Sequence, residues 1–150
     1  MRYTKQVELA APPERVWSVL ADVERWPSWT PTVTALDVLD APDGSGPALR
    51  EGAEVRITQP GMRPTRYTVT GVEDGRWFRW EARRPGLRQH ADHAVEAAGD
   101  RCSRATLTFG IDGPVGWLVS PLARPTVRRM VDAEAEALRA RVEEMPAQER

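Results

Sequence analysis

Cysteine and lysine are nearly missing from this chain. One cysteine, Cys102, stands among 150 residues, which excludes an internal disulfide and a multi-cysteine metal site. Lys5 is the only lysine, so nearly all the positive charge is arginine. An excess of either sign is missing too: 21 Lys plus Arg face 22 Asp plus Glu, for a formal net charge of −1. No overall basic field exists to attract nucleic acid or an anionic membrane, and neither is expected as a partner. No apolar run approaches the roughly 20 residues of a membrane-spanning helix. The opening Met1-Arg2-Tyr3-Thr4-Lys5 lacks the apolar core of a signal peptide, so the expected compartment is the cytoplasm. A Gly-rich phosphate loop, a Gly-Xaa-Ser-Xaa-Gly elbow and a His-Glu-Xaa-Xaa-His pair are all lacking, and no cofactor is expected.

What is present reads as an ordinary globular domain, 41% apolar and 29% charged. Its length fits a single domain, expected over residues 1–145, with a frayed tail at 146–150. Residues 3–9 alternate, with Tyr3, Lys5, Val7 and Leu9 on one side, which predicts a strand with one buried face. Pro12, Pro13 and Glu14 suit a first helical turn. Val16, Trp17, Leu20 and Val23 then share a face. Asp22 is placed to cap a second short helix that Pro27 should stop. A strand at 33–39 and a Pro/Gly/Asp-rich loop at 40–47 follow. Runs at 53–59, 63–73, 76–83, 87–97 and 101–112 read as strands. They are separated by Pro60-Gly61, Asp74-Gly75, Pro85-Gly86 and Gly99-Asp100. Such short links predict an antiparallel meander.

Alternation assigns an inner face to Val55, Ile57 and Gln59; Tyr67 and Val69; Phe78 and Trp80; Ala91, His93 and Val95; Leu107, Phe109 and Ile111. The rest of the chain to Glu144 is helical in pattern but carries two apolar stripes. Val115, Leu118, Val119 and Leu122 form one; Val127, Met130, Val131, Leu138 and Val142 form the other. They are out of phase, with Pro121 and Pro125 between them. The expectation is a break or strong kink near 120–125, with only the second piece packed on the sheet.

Local motifs carry a resemblance. Val7-Glu8-Leu9-Ala10-Ala11-Pro12-Pro13-Glu14-Arg15-Val16-Trp17 is followed by Trp26-Pro27-Ser28-Trp29, and His93-Ala94-Val95-Glu96 leads through Ala98-Gly99-Asp100 to the strand at 104–108, as in a penultimate hairpin. Over essentially the whole chain this resembles the START-like (SRPBCC) superfamily, within it the polyketide cyclase/dehydrase-type group. The resemblance implies an α+β helix-grip fold. A curved antiparallel sheet of about seven strands would surround the long, kinked C-terminal helix, with two short helices after the first strand. It also implies an apolar cavity between sheet and helix, and it implies no universal catalytic motif.

Within that frame the expected ligand-binding residues are Val55, Ile57, Gln59, Tyr67, Val69, Phe78, Trp80, His93, Val95, Phe109, Val127, Met130, Val131 and Glu134. His93 on an apolar wall could move protons near neutral pH, or be a hydrogen-bonded core residue. Glu134 inside the helix stripe must be paired or solvated: a polar anchor, or an ion pair with a sheet arginine or Arg141. Tyr67 and Gln59 could orient a ligand. His90 and His93 point to opposite faces of one strand, so they do not share a metal, and no metal is expected. Trp117, on the polar side of its segment, is either an exposed surface or folded back at the kink. Trp26 and Trp29 should pack over one end of the sheet, and Cys102, beside a hairpin turn, is an ordinary residue.

Three functions fit. One is a binder of an apolar or aromatic, lipid-like or polyketide-like molecule. Another is an aromatase/cyclase or dehydratase using His93, Tyr67 or Glu134. The third is a protein-binding module of the chaperone-regulator kind. The oligomeric state is left open.

Overall fold

The structure is a computed structural model that describes residues 1–39 and 49–144. The loop expected at 40–47, and the tail expected at 146–150, lie outside the described residues. The order is β1 (Arg2–Leu9), α1 (Pro13–Ala21), a 3₁₀ helix (Val23–Ser28), β2 (Ala35–Val38), β3 (Glu54–Thr58), β4 (Thr65–Glu73), β5 (Trp77–Arg84), β6 (Leu87–Ala97), β7 (Ser103–Asp112) and α2 (Pro114–Glu144). The seven strands form one antiparallel sheet in the order β1-β7-β6-β5-β4-β3-β2. Strands β2 to β7 are the meander that the short turns require. β1 then closes on β7, with Arg2 opposite Gly110 and Leu9 opposite Ser103. A register shift between Val69 and Gly71 marks a bulge in β4, a device that bends a strand.

The core lies on the concave face. Val16, Leu20 and Val23 from α1 and the 3₁₀ helix join Val55, Val69, Phe78 and Val95 from the sheet and Leu138 and Val142 from α2. Trp17 meets Phe78 edge-on at 6.2 Å, and its indole N–H donates to Asp74. Trp26 is 1% exposed and its indole N–H donates to the Leu20 carbonyl. The two short helices thus plug one end of the concave face. Asp22 stands at the start of the 3₁₀ helix, but its carboxylate pairs with Arg25 and does not cap. Pro27 lies inside that helix, which ends one residue later at Ser28.

Helix α2 departs from expectation. It runs without interruption from Pro114 to Glu144, through both prolines. The chain enters it at Gly113, whose φ of 96° suits glycine. The buried face of its first half is made of small residues. Gly116 and Ser120 are buried and Ala123 half-buried, leading at intervals of three or four to Val127, Val131, Ala135, Leu138 and Val142. This is one continuous stripe. Gly116 must be small because a Cβ there would stand 2.8 Å from Ile111. The larger apolar stripe of this half, Val115, Leu118, Val119 and Leu122, is exposed. The prolines lie on the exposed side, where water can satisfy the Trp117 and Pro121 carbonyls that lose an amide donor. The Ser120 hydroxyl donates to the Gly116 carbonyl at 2.6 Å.

Candidate functional site

Away from the plug, the concave face and α2 enclose a cavity of about 180 Å³. For scale, an apolar cavity of about 150 Å³ holds benzene. The space therefore suits roughly one ring, and its open side lets a larger molecule project outward. Ile57, Tyr67, Trp80, Leu107, Phe109 and Ile111 form the sheet wall, and Val127, Met130, Val131 and Glu134 the helix wall.

Of the expected ligand-binding residues, Ile57, Gln59, Tyr67, Trp80, His93, Phe109, Val127, Met130, Val131 and Glu134 line this cavity. Val55, Val69, Phe78 and Val95 do not. They share the same strand face but lie toward the plugged end, packed within the core. Sequence reasoning missed Trp26, Val33, Met62, Thr65, Gln89, Thr108, Ala123 and Thr126. Trp26 and Val33 arrive from outside the meander. Ala123 and Thr126 belong to the part of α2 that was expected to break.

One buried histidine–carboxylate hydrogen bond stands in the cavity wall. His93 is 3% exposed, and its Nε2 lies 3.1 Å from Glu134 Oε2. The partner of Glu134 is thus a histidine, not a sheet arginine or Arg141. The Thr32 hydroxyl donates to Glu134 Oε1 at 3.3 Å and lies 2.9 Å from the Thr30 hydroxyl. In the Nε2–H tautomer the imidazole donates and the carboxylate accepts. The imidazole stacks on Phe78 at 4.5 Å and meets Trp26 at 5.0 Å and Trp80 at 5.6 Å edge-on. That cage holds the ring between aromatic faces, with Nε2 toward Glu134 and Nδ1 buried without a hydrogen-bond partner among the described residues.

Tyr67 is nine-tenths buried or more, and its hydroxyl donates to Gln89 Oε1 at 3.5 Å. Burial pushes its phenol up to about 12, with Glu134 adding to the rise and Arg84 opposing it. At neutral pH it is a hydrogen-bond donor, not a phenolate base. Gln59 and Gln89 supply the remaining amides in the wall.

His90 occupies the opposite, convex face, as alternation requires. It is nevertheless buried, packed against Gly110, where a Cβ would come 2.1 Å from its Nε2. Asp92 and Asp112 flank it at 3.4 and 3.6 Å. Among the described residues no group of three or more His, Cys, Asp or Glu is arranged to hold a metal. Trp117 is 78% exposed and does not fold back. No helix of the described residues is long and apolar enough to cross a membrane.

Comparison with known proteins agrees with this architecture. No curated protein matches the chain by sequence. Solved structures do match in fold. The ZhuI aromatase/cyclase from a Streptomyces species superposes with a TM-score of 0.76 at 16% identity, over 95% of this chain and 93% of that one. A START superfamily protein from Mycobacterium smegmatis gives 0.71 at 21% identity, over 97% and 99%. The di-domain aromatase/cyclase BexL gives 0.67 at 17%, over 95% of this chain and 46% of that one. At these identities the likeness establishes the fold alone. The family described as polyketide cyclase / dehydrase and lipid transport matches residues 1–143. With nearly its whole length covered, the chain belongs to that family.

Proposed function

We propose that this protein binds an apolar or aromatic small molecule between the sheet and α2. One observation carries the reading: an apolar, aromatic-walled cavity holds a few fixed polar groups, chief among them the buried, hydrogen-bonded His93 and Glu134. Such pockets gain affinity from apolar walls and orientation from a few fixed polar groups. A ring fits against Trp80 and Phe109, with a hydroxyl or carbonyl directed at the pair or at Tyr67. The family's description, which includes lipid transport, supports the same reading. The reading keeps the protein in the cytoplasm, where a lone thiol such as Cys102 stays reduced.

The test is calorimetric titration with a small phenol such as 2-naphthol. Wild type should bind saturably, and Ala91→Phe, which fills the cavity from β6, should weaken binding at least about tenfold. If wild type shows no saturable heat with any one- or two-ring compound, the reading fails.

A second reading is favoured by the company His93 keeps. His93, Glu134 and Tyr67 share one cavity, and two of the fold neighbours are named as aromatase/cyclases. In an aromatase/cyclase or dehydratase, the His93–Glu134 pair would take a proton from carbon beside a ketone. The Tyr67 hydroxyl would donate to the carbonyl oxygen as charge develops there. The walls would hold the forming ring in a reactive conformation. Turnover of a poly-β-keto substrate should then collapse in His93→Ala, with ligand affinity largely kept. Activity surviving in each of His93→Ala, Tyr67→Phe and Glu134→Gln would rule out this chemistry.

A further inference from the structure

The large apolar side chains that stand exposed among the described residues are Met62, Val115, Trp117, Leu118, Val119 and Leu122. They are not scattered. Met62 lines the cavity, and Val119 and Leu122 sit one turn before Ala123 and Thr126, which also line it. The Val115 amide donates to the Gly86 carbonyl, which ties α2 to the β5–β6 turn. Arg84 from that turn donates to Thr65, which ties it to the β3–β4 turn beside Met62. Three segments, 60–65, 83–88 and 112–131, therefore form one end of the molecule, around the cavity mouth.

The charge at this end is one-sided. The three segments carry Arg63, Arg83, Arg84, Arg88, Arg124, Arg128 and Arg129, all exposed, against one acid, Asp112. Asp112 is already paired with Arg88, and Glu81, just outside these segments, lies 3.6 Å from Arg83, which leaves five arginines in excess. The net charge of −1 conceals this, because the compensating acids lie elsewhere in the chain.

We propose that this end docks peripherally on an anionic lipid bilayer, with Leu118, Leu122 and Trp117 entering the headgroup boundary and the arginines meeting the lipid charge. An apolar face with a basic collar is the pattern of an interfacial helix, and a Trp ring with one polar edge suits that depth. A second copy of this chain is the poorer occupant. A two-fold interface would set the same arginines against each other. The choice of a bilayer over an acidic protein rests on the cavity reading above: the mouth opens within the patch, and a bilayer is where an apolar ligand is stored.

The test is co-sedimentation of the full chain with phosphatidylcholine vesicles, with and without a minority of phosphatidylglycerol. The chain should sediment with the anionic vesicles and not with phosphatidylcholine alone, and added salt should release it. Arg124→Gln and Arg129→Gln should each weaken binding about fivefold, the equivalent of about 1 kcal/mol per surface arginine. Leu118→Ser combined with Leu122→Ser should abolish it. Both leucines are exposed, so circular dichroism should be unchanged. Titration with 2-naphthol without vesicles separates the two proposals. Intact vesicle binding with no naphthol binding would sink the cavity reading, whereas naphthol binding with no sedimentation would sink this one. Docking is also overturned if the double leucine variant sediments like wild type. It is overturned equally if sedimentation velocity finds a dimer that this variant dissolves, or if the patch captures a purified acidic protein but no vesicle.

Discussion

Burial keeps the Tyr67 proton in place well beyond the ordinary phenol range. The group titrates near 10 when unfolded and near 12 when folded. Below pH 10 both states hold the proton, and the linkage costs nothing. Between 10 and 12 the unfolded chain sheds it and the folded chain does not, so stability falls as pH rises. At about 1.4 kcal/mol per unit the loss approaches roughly 2–3 kcal/mol. The urea midpoint of wild type should decline over this window, and that of Tyr67→Phe should decline less; parallel curves would refute the assignment. The same scale shows what single residues reveal in advance. Strand alternation separates His90 from His93, because it needs neighbours alone. It does not disclose that His93 meets Glu134, whose place depends on how α2 crosses the sheet.

Helix α2 shows how an element can be misread from its largest side chains. Its largest apolar residues around Pro121 form a stripe that faces outward, and the packed one is Gly116, Ser120 and Ala123. Small residues carry little hydropathy signal, so a phase jump appeared where the buried face is continuous. The prolines reinforced the error. Each removes one hydrogen bond, but on an exposed face that loss falls on carbonyls water can reach. An interior proline still costs about 3 kcal/mol relative to alanine, offset by about 1 kcal/mol from the stiffer unfolded chain. Pro121→Ala should therefore raise stability by about 1–2 kcal/mol, read as a higher urea midpoint with unchanged slope. A lower midpoint would mean that the ring makes contacts the helix needs.

At the scale of the molecule, the meander was legible because its turns announce themselves: Asp74-Gly75 and Pro85-Gly86 leave little choice of neighbour. The closure of β1 on β7 was not, since no local signal links residues about a hundred positions apart. Nor did alternation say where core ends and cavity begins. Val55 and Ile57 share a face, and only the plug formed by α1 and the 3₁₀ helix distinguishes them. The closure has weight: β1 brings Val7 and Leu9 into the core and covers the edge of β7. Losing two such side chains costs about 2–5 kcal/mol each, against a typical total stability of about 5–15 kcal/mol. A chain lacking residues 1–9 should show no cooperative thermal transition by circular dichroism; a sharp transition would show that β1 is dispensable.

The seven arginines gathered at one end have a consequence independent of what they touch. A nearly neutral molecule with an excess of positive charge at one end is an electric dipole. Its approach to any charged surface is therefore oriented before contact. At low ionic strength, where the Debye length reaches about 30 Å, it turns its basic pole forward well before contact, and at physiological salt, where that length is about 8 Å, only in the last steps of approach. Such a protein should be retained by anion and cation exchangers alike near neutral pH, a behaviour its overall charge would not foretell.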